Sequence, residues 1–121
     1  MKIYVLKLKH SKYYVGKSDN VNNRIDKHKS NKGAIWTKKY KVIDVVEIKE
    51  SNSIFDEMNT TLYYMDKYGI DNVRGGPWCD IHIDDTEKEY INKNICSIYD
   101  KCYICHSTKH ISKKCPKNLK W

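Results

Sequence analysis

A tyrosine, an arginine and a histidine stand at spacings that would bring them together around a phosphate. Tyr14 lies in a short β-prone run, Tyr13–Val15, which is followed by an amphipathic helical segment over Val21–Lys29. Arg24 and His28 are four residues apart on that helix, so they share one of its faces. A guanidinium binds two phosphate oxygens, and an imidazole can move a proton near neutral pH. This stretch therefore predicts a site that orients a phosphate ester and handles a proton.

A second chemical signature lies near the end of the chain. Cys102, Cys105, His110 and Cys115 give the spacing C-x₂-C-x₄-H-x₄-C. Three thiolates and one imidazole form a closed tetrahedral ligand set for zinc. So short a segment cannot bury a hydrophobic core, and metal binding would supply its folding energy. We therefore predict one structural zinc ion here, with free thiols on a basic tail as the alternative.

Charge is unevenly distributed along the 121 residues, whose formal net charge is +8. Residues 1–50 carry 13 Lys or Arg against 5 Asp or Glu, residues 51–95 carry 4 against 9, and residues 96–121 carry 6 against 1. Two basic ends around an acidic middle favour a polyanionic partner such as nucleic acid, with a metal site between them. A solvated lysine-rich surface is the alternative explanation.

Hydropathy and cysteine use indicate a soluble chain in a reducing compartment. No apolar run approaches the ~18 residues of a membrane span, and charges interrupt the first apolar run, which argues against a signal peptide. We therefore expect no membrane association, no secretion signal and an intracellular location. Four of the five cysteines lie after residue 95, which disfavours a disulfide scaffold. Cys79 and Cys96 are expected to be ordinary buried thiols.

A small set of strands and helices must position these residues. The predicted strands are Ile3–Leu8, which is apolar enough to be central, Tyr13–Val15, which breaks at Gly16, and Tyr40–Lys49. The predicted helices are Val21–Lys29, a segment from the Ser51–Ser53 caps to about Tyr68, and about Thr86–Tyr99. Ser30–Thr37 is predicted as a loop, and Asn72–Pro77 as a short extended piece followed by a turn.

The order of these features resembles the GIY-YIG nuclease module over about Met1–Trp78. The resemblance rests on Ile3-Tyr4, on Tyr14-Val15-Gly16, and on Arg24 and His28 at their spacing. Lys2 stands where the first motif normally begins with glycine, and the spacer between the two tyrosine motifs is about one residue short. The resemblance implies an α/β fold with a central three-stranded antiparallel sheet flanked by helices, to which this chain adds a C-terminal helix and a zinc knuckle.

The resemblance also implies roles for particular residues. Tyr4 and Tyr14 would activate or position water, Arg24 would bind the scissile phosphate, and His28 would donate to a phosphate oxygen or pass a proton. Glu57, on the helix after the third strand, would hold a catalytic Mg²⁺ or Mn²⁺ ion, with the adjacent Asp56 as the alternative. Because a free tyrosine has a pKa near 10, it needs a nearby cation to act as a base at neutral pH.

Further residues are expected to contact nucleic acid. In the first part of the chain these are Lys17, Asn72 and Arg74. The tail is similar to retroviral-type zinc knuckles, with Tyr103 and Ile111 at the base-contact positions of a single-strand binder. Two glycines usual in that family are replaced by His106 and Lys109, and His106 is a competing ligand.

Three functions stay open at this point. The first is a metal-dependent endonuclease that hydrolyses phosphodiester bonds in DNA, with a zinc knuckle aiding binding. The second is a catalytically inactive nucleic-acid-binding protein, and the third is a zinc-dependent protein-interaction module. The expected organisation is a nuclease-like domain over 1–80, a connecting helix over 81–100 and the knuckle over 101–121. The segment Asp71–Trp78 is similar to GIY-YIG proteins of large DNA viruses, which implies a viral source acting in the host cytoplasm or nucleus.

Overall fold

The computed structural model describes residues 1–99, and they form a mixed α/β structure. The strands are β1 (Lys2–Leu8), β2 (Lys12–Ser18), β3 (Val42–Glu50) and β4 (Val73–Gly75). The helices are α1 (Val21–Lys29), α2 (Ile35–Lys39), α3 (Asp56–Tyr68) and α4 (Asp85–Ile98), with single 3₁₀ turns at Lys9–Ser11 and Ile70–Asn72. The chain divides into two compact units, Met1–Ile83 and a second unit that begins at Asp84.

The sheet of the first unit has four strands in the order β3-β1-β2-β4. β1 pairs antiparallel with both β2 and β3, and its residues 3–6 are fully buried, which confirms it as the central strand. The expected three-stranded antiparallel sheet was wrong, because β4 pairs in parallel with β2 and makes the sheet mixed. A three-residue strand shows no alternation of polar and apolar residues, so the sequence pattern could not reveal it.

Helix α1 has the bounds that the sequence predicted. The side chain of Asn20 caps it by accepting a hydrogen bond from the amide of Asn23, at 3.2 Å. Val21 and Ile25 form the buried stripe, and they join Tyr4, Leu6, Leu8, Tyr14 and Trp36 in one hydrophobic cluster. The helix is therefore fixed against the sheet by the face that also carries His28.

Two local predictions in this region were wrong. Strand β2 does not break at Gly16 but continues to Ser18. The segment predicted as a loop includes the first three residues of the five-residue helix α2, and of these Trp36 and Thr37 are buried. The indole nitrogen of Trp36 donates to the carbonyl of Tyr13 at 2.9 Å, which ties this helix to β2. Such a short helix is stabilised by tertiary packing, and a polar sequence pattern gives no indication of that packing.

The described part of the second unit is helix α4. Asp84 caps it, with a carboxylate oxygen accepting from the amide of Glu87 at 2.8 Å. Ile91 and Ile95 are buried, whereas Ile98 of the predicted stripe is about half exposed. Among residues 1–99, no helix combines the length and the apolar character needed to cross a membrane.

Candidate active site

A buried hydrogen bond joins the first tyrosine motif to helix α1. The Tyr4 hydroxyl lies 2.8 Å from Nε2 of His28, and both side chains are fully buried. The ring of Tyr14 lies beside them, with its centroid 5.0 Å from that of His28 and 6.4 Å from that of Tyr4. Strands β1 and β2 and helix α1 therefore bring the two tyrosines and the histidine into one cluster, as the sequence predicted.

The other side of the His28 ring is held by helix α2. Nδ1 of His28 lies 3.0 Å from the hydroxyl of Thr37, and that hydroxyl lies 2.9 Å from the carbonyl oxygen of Ala34. Both ring nitrogens of His28 are thus engaged within the protein. Thr37 is not recognisable from the sequence, because it falls in a segment predicted as a loop and no motif marks it.

Two glycines leave room for the two hydrogen-bonded rings. A Cβ atom on Gly16 would overlap the ring of Tyr4, and a Cβ atom on Gly33 would overlap the ring of His28. Neither glycine has a positive φ angle. Space, and not backbone conformation, therefore requires a glycine at each position.

Burial keeps His28 neutral. Desolvation, together with the weaker effect of the positive charge of Arg24, lowers its pKa to about 4. Because the side chain is only 1% exposed and contacts Tyr4, it has no path for direct donation to a phosphate. The expected contact between His28 and substrate therefore has no support in this geometry, and any effect of His28 must pass through Tyr4.

Arg24 is half-buried on helix α1 and lies beside both tyrosines. Burial raises the pKa of Tyr4 to about 12, while the positive charge of Arg24 opposes the rise. Burial also raises the pKa of Tyr14, with the charges of Tyr4, Cys79 and Glu57 adding to the rise and Arg24 opposing it. Both tyrosines are therefore neutral phenols at neutral pH.

The two candidate carboxylates at the start of helix α3 do different things. One oxygen of Asp56 accepts from the amides of Asn52 at 2.7 Å and Ser53 at 3.0 Å, so this side chain closes the preceding loop. Glu57 instead acts electrostatically on both tyrosines of the cluster. Burial raises the pKa of Glu57, and the nearby charge of Lys17 opposes the rise. Glu57 is thus the carboxylate that belongs to the cluster.

The turn after β4 approaches helix α3 closely beside Glu57. A Cβ atom on Gly75 would overlap Val15 and the side chain of Thr61, and φ at this glycine is +154°. Cys79 follows in the same turn and donates from its thiol to the carbonyl of Gly76, at 3.2 Å. Its charge interactions with Tyr14 and Glu57 place it at the cluster's edge.

The two cysteines outside the zinc set differ in exposure. Cys79 is exposed, so the prediction that it is buried was wrong, whereas Cys96 is buried as predicted. Cys79 lies in an irregular turn, where periodicity gives no indication of burial. Although the residue as a whole is exposed, partial desolvation raises the pKa of the Cys79 thiol, with the charges of Glu57 and Asp80 adding to the rise.

Arg74 and Asn72, expected to contact nucleic acid, are used inside the fold. The Arg74 guanidinium is 2% exposed and donates to four backbone carbonyls, those of Ile70, Val73, Asp80 and Ile81, at 2.7–2.8 Å. It also lies over the ring of Trp36, 4.4 Å from the centroid. The Asn72 amide donates to the carbonyl of Tyr68 and accepts from Lys12. These contacts leave the Arg74 guanidinium unavailable for a phosphate and hold the half-buried Asn72 amide within the fold.

Lys17 is half-buried beside Glu57, a location compatible with its expected contact to a phosphate backbone. The remaining predicted site residues lie outside the described residues: Cys102, Tyr103, Cys105, His110, Ile111 and Cys115. Within residues 1–99, no three His, Cys, Asp or Glu side chains are grouped as a metal-ion ligand set. A Mg²⁺-type ion needs no such set, because one carboxylate with water and substrate phosphate can hold it.

Comparison with known proteins agrees with this geometry. Residues 1–68 match the GIY-YIG catalytic domain, a stretch that includes every residue of the tyrosine, arginine, histidine and glutamate cluster. No curated protein matches the chain, and no solved structure matches it either. The family match extends over more than half of the 121 residues. The chain therefore belongs to the GIY-YIG family, whose catalytic domain is that of nucleases.

Proposed function

We propose that this protein is a metal-dependent endonuclease that hydrolyses phosphodiester bonds in DNA. The observation that carries the proposal is the environment of the Tyr14 hydroxyl, which is under the influence of Arg24 on one element and Glu57 on another. A cation for the phosphate and a carboxylate for a metal ion thus act on one hydroxyl. This is the combination that in-line attack of water on a phosphate requires.

Tyr14 is the hydroxyl best placed to meet the attacking water. Among residues 1–99 no side-chain hydrogen bond holds its oxygen, although the residue is only 7% exposed. Tyr4, by contrast, is bonded to His28. Arg24 would bind non-bridging oxygens of the phosphate as a fork and stabilise the charge that develops during attack.

Glu57 is the residue that would hold the divalent ion. A half-buried carboxylate with a raised pKa gains from a bound cation, because the cation offsets the desolvation of its charge. Mg²⁺ or Mn²⁺ bound there would supply the positive charge that makes a water molecule acidic and stabilises the leaving oxygen. Since both tyrosines are neutral phenols, water activation depends on such a cation.

The tail is proposed to add affinity and not chemistry. Cys102, Cys105, His110 and Cys115 would fill the coordination shell of one zinc ion, which leaves no open position for a substrate. Tyr103 and Ile111 would contact bases, and Lys17 would contact the phosphate backbone near the catalytic cluster. The proposed division is a nuclease domain over 1–80, a connecting helix over 81–100 and a knuckle over 101–121, in a reducing compartment of the cell.

A catalytically inactive nucleic-acid-binding protein is the second candidate. Lys2 occupies the position of the first motif's glycine, and burial raises the pKa of both tyrosines away from neutral pH. The two candidates share the cluster and the basic tail, so binding assays do not separate them. Only the presence or absence of cleavage does.

The test is incubation of the full chain with supercoiled plasmid, branched DNA, single-stranded DNA and RNA, with Mg²⁺ or Mn²⁺ and with chelator. We expect nicking or cleavage of a DNA substrate that requires the metal. Binding without cleavage across all metals and substrates would leave the inactive binding protein as the function.

A further inference from the structure

We propose that Thr37 is a positioning residue that fixes the tautomer of His28 and thereby assigns different tasks to the two tyrosines. With the proton of His28 on Nδ1, the Tyr4 hydroxyl must donate inward to Nε2. Its oxygen then acts as an acceptor that holds the Arg24 guanidinium, while Tyr14 alone meets the water. The catalytic consequence rests on the proposed nuclease function, but the order of hydrogen bonds is a property of the folded chain.

The Thr37 hydroxyl has a single proton to donate. The carbonyl oxygen of Ala34 lies 2.9 Å from this hydroxyl and can only accept, so it takes the hydroxyl proton. The Thr37 oxygen is then an acceptor for His28, whose Nδ1 lies 3.0 Å away. A neutral imidazole carries one N–H, so a proton on Nδ1 leaves Nε2 as an acceptor.

The Tyr4 hydroxyl supplies the proton that Nε2 accepts. Its oxygen lies 2.8 Å from Nε2 of His28, which is the one acceptor that the ring offers in this tautomer. The Tyr4 oxygen keeps its lone pairs as acceptors, and the positive charge of Arg24 acts on this group.

One contact favours the opposite assignment. The backbone amide of Ala34 approaches Nδ1 of His28 at 3.4 Å, and an amide can only donate. This is the longest of the contacts around the ring, beyond the usual range for a strong N–H···N or N–H···O bond. The opposite tautomer would also leave the Tyr4 proton without an acceptor between His28 and Arg24. The shorter contacts therefore decide the assignment.

Burial makes this arrangement persistent. Thr37 is 0% exposed and His28 is 1% exposed, so water does not compete for their hydrogen bonds. The adjacent Trp36 is anchored by its bond to the Tyr13 carbonyl, which fixes helix α2 and hence the Thr37 hydroxyl against the sheet. A buried, oriented partner on the second nitrogen is the usual means by which proteins select a histidine tautomer.

The test is ¹⁵N NMR of the histidine side chains in the full, zinc-loaded chain at neutral pH, with His28→Gln identifying the His28 signals. We expect a protonated Nδ1 and an unprotonated Nε2. Thr37→Val removes the hydroxyl at nearly constant shape and should move protonation toward Nε2, whereas Thr37→Ser should keep the wild-type tautomer. A wild-type spectrum with protonated Nε2 would overturn the proposal. This measurement is made on the wild-type protein, so it does not depend on whether the Thr37 variants fold.

Cleavage assays test the consequence. Thr37→Val should lower kcat by about tenfold or more with little change in KM, and Thr37→Ser should restore most of the activity. Equal kcat in the valine variant and wild type would overturn the catalytic role of Thr37. A wild-type chain with the expected tautomer but no cleavage would contradict the proposed nuclease function and still support the hydrogen-bond order.

Discussion

The Tyr4 hydroxyl and Nε2 of His28 lie 2.8 Å apart in a buried contact that joins the central strand of the sheet to the last turn of helix α1. This contact places the histidine behind the tyrosine and out of reach of solvent. In the proposed mechanism the side chains that face a substrate are Tyr14, Arg24, Lys17 and Glu57. The contact therefore separates residues that support the site from residues that can touch a phosphate.

The buried, neutral His28 should make folding stability depend on pH. The unfolded chain binds a proton at this residue below about pH 6.5, whereas the folded chain binds it only below about pH 4. The stabilisation is complete above pH 6.5 and falls as the pH drops toward 4, by about 1.4 kcal/mol per pH unit. Chemical denaturation at pH 7 and pH 5 should show a loss of about 2 kcal/mol from this residue.

The matched control for this effect is His28→Gln, which removes the titrating group and leaves the carboxylates of the protein unchanged. Its free energy of unfolding should be lower than that of wild type at pH 7 but should fall less between pH 7 and pH 5. Parallel pH profiles for the two proteins would contradict a neutral, buried His28.

Gly16→Ala should disturb the same hydrogen bond by steric overlap. The added methyl group would collide with the ring of Tyr4, so the ring must move away from His28. Overpacking of this kind typically costs about 1–3 kcal/mol of stability. Thermal or chemical unfolding measures that loss, and Gly69→Ala, at a position with φ +99° where the added Cβ would lie 3.3 Å from the Asn72 side chain, separates steric overlap from backbone strain. Unchanged stability of Gly16→Ala would show that Tyr4 is not packed against this strand.

Arg74 should be required for folding and not for binding nucleic acid. Arg74→Ala removes the hydrogen-bond donors of these carbonyl oxygens, at a cost of about 1–3 kcal/mol for each oxygen that stays buried. We therefore expect a loss of at least about 3 kcal/mol in the free energy of unfolding. Lys29→Ala, at an exposed position of helix α1, should change stability little. A stable Arg74→Ala protein with weakened binding and a shallower salt dependence would restore the role that the sequence suggested.

The tail should bind a tetrahedral metal ion through its own cysteines. Co²⁺ added to the reduced full chain should give intense thiolate absorption, because three thiolates would ligate it. Cys105→Ser should reduce the absorption, and Cys79→Ser should not, since Cys79 lies in the turn after β4. Equal loss in the two variants, or no absorption in wild type, would contradict the zinc assignment.

Removal of the tail should weaken binding to nucleic acid. A chain ending at residue 99 lacks the six lysines of residues 101–121, so fewer counterions are released on binding. We expect lower affinity and a shallower dependence of affinity on salt than in the full chain. Equal affinity and equal salt dependence in the two chains would contradict the proposed role of the tail.

The sequence predicted the cluster well because the spacing of the motif residues determines where they lie on the hairpin and on helix α1. Arg24 and His28 share a face of α1 by helical spacing, and the hairpin brings Tyr4 and Tyr14 together. What the sequence could not predict was the direction in which polar side chains point. Arg74 and Asn72 carry groups that could bind a phosphate, but in the folded chain these groups donate hydrogen bonds to backbone carbonyls.

Short elements and irregular segments account for the other errors. Strand β4 has three residues and helix α2 has five, too few for a periodic pattern. No motif marks Thr37. Its role depends on a contact between helices α1 and α2, both of which are distant in sequence from Tyr4.

The central claim is that Glu57 holds the catalytic metal ion, and the most direct test compares cleavage by wild type, Glu57→Gln and Asp56→Asn. Glutamine keeps the size of the side chain and removes its charge, so the rate should fall about 10²–10³-fold, equivalent to about 3–4 kcal/mol of transition-state stabilisation. Binding of DNA should survive. Asp56→Asn should loosen the loop that Asp56 closes and leave the chemical step largely intact. Cleavage by Glu57→Gln at the wild-type rate would contradict the account.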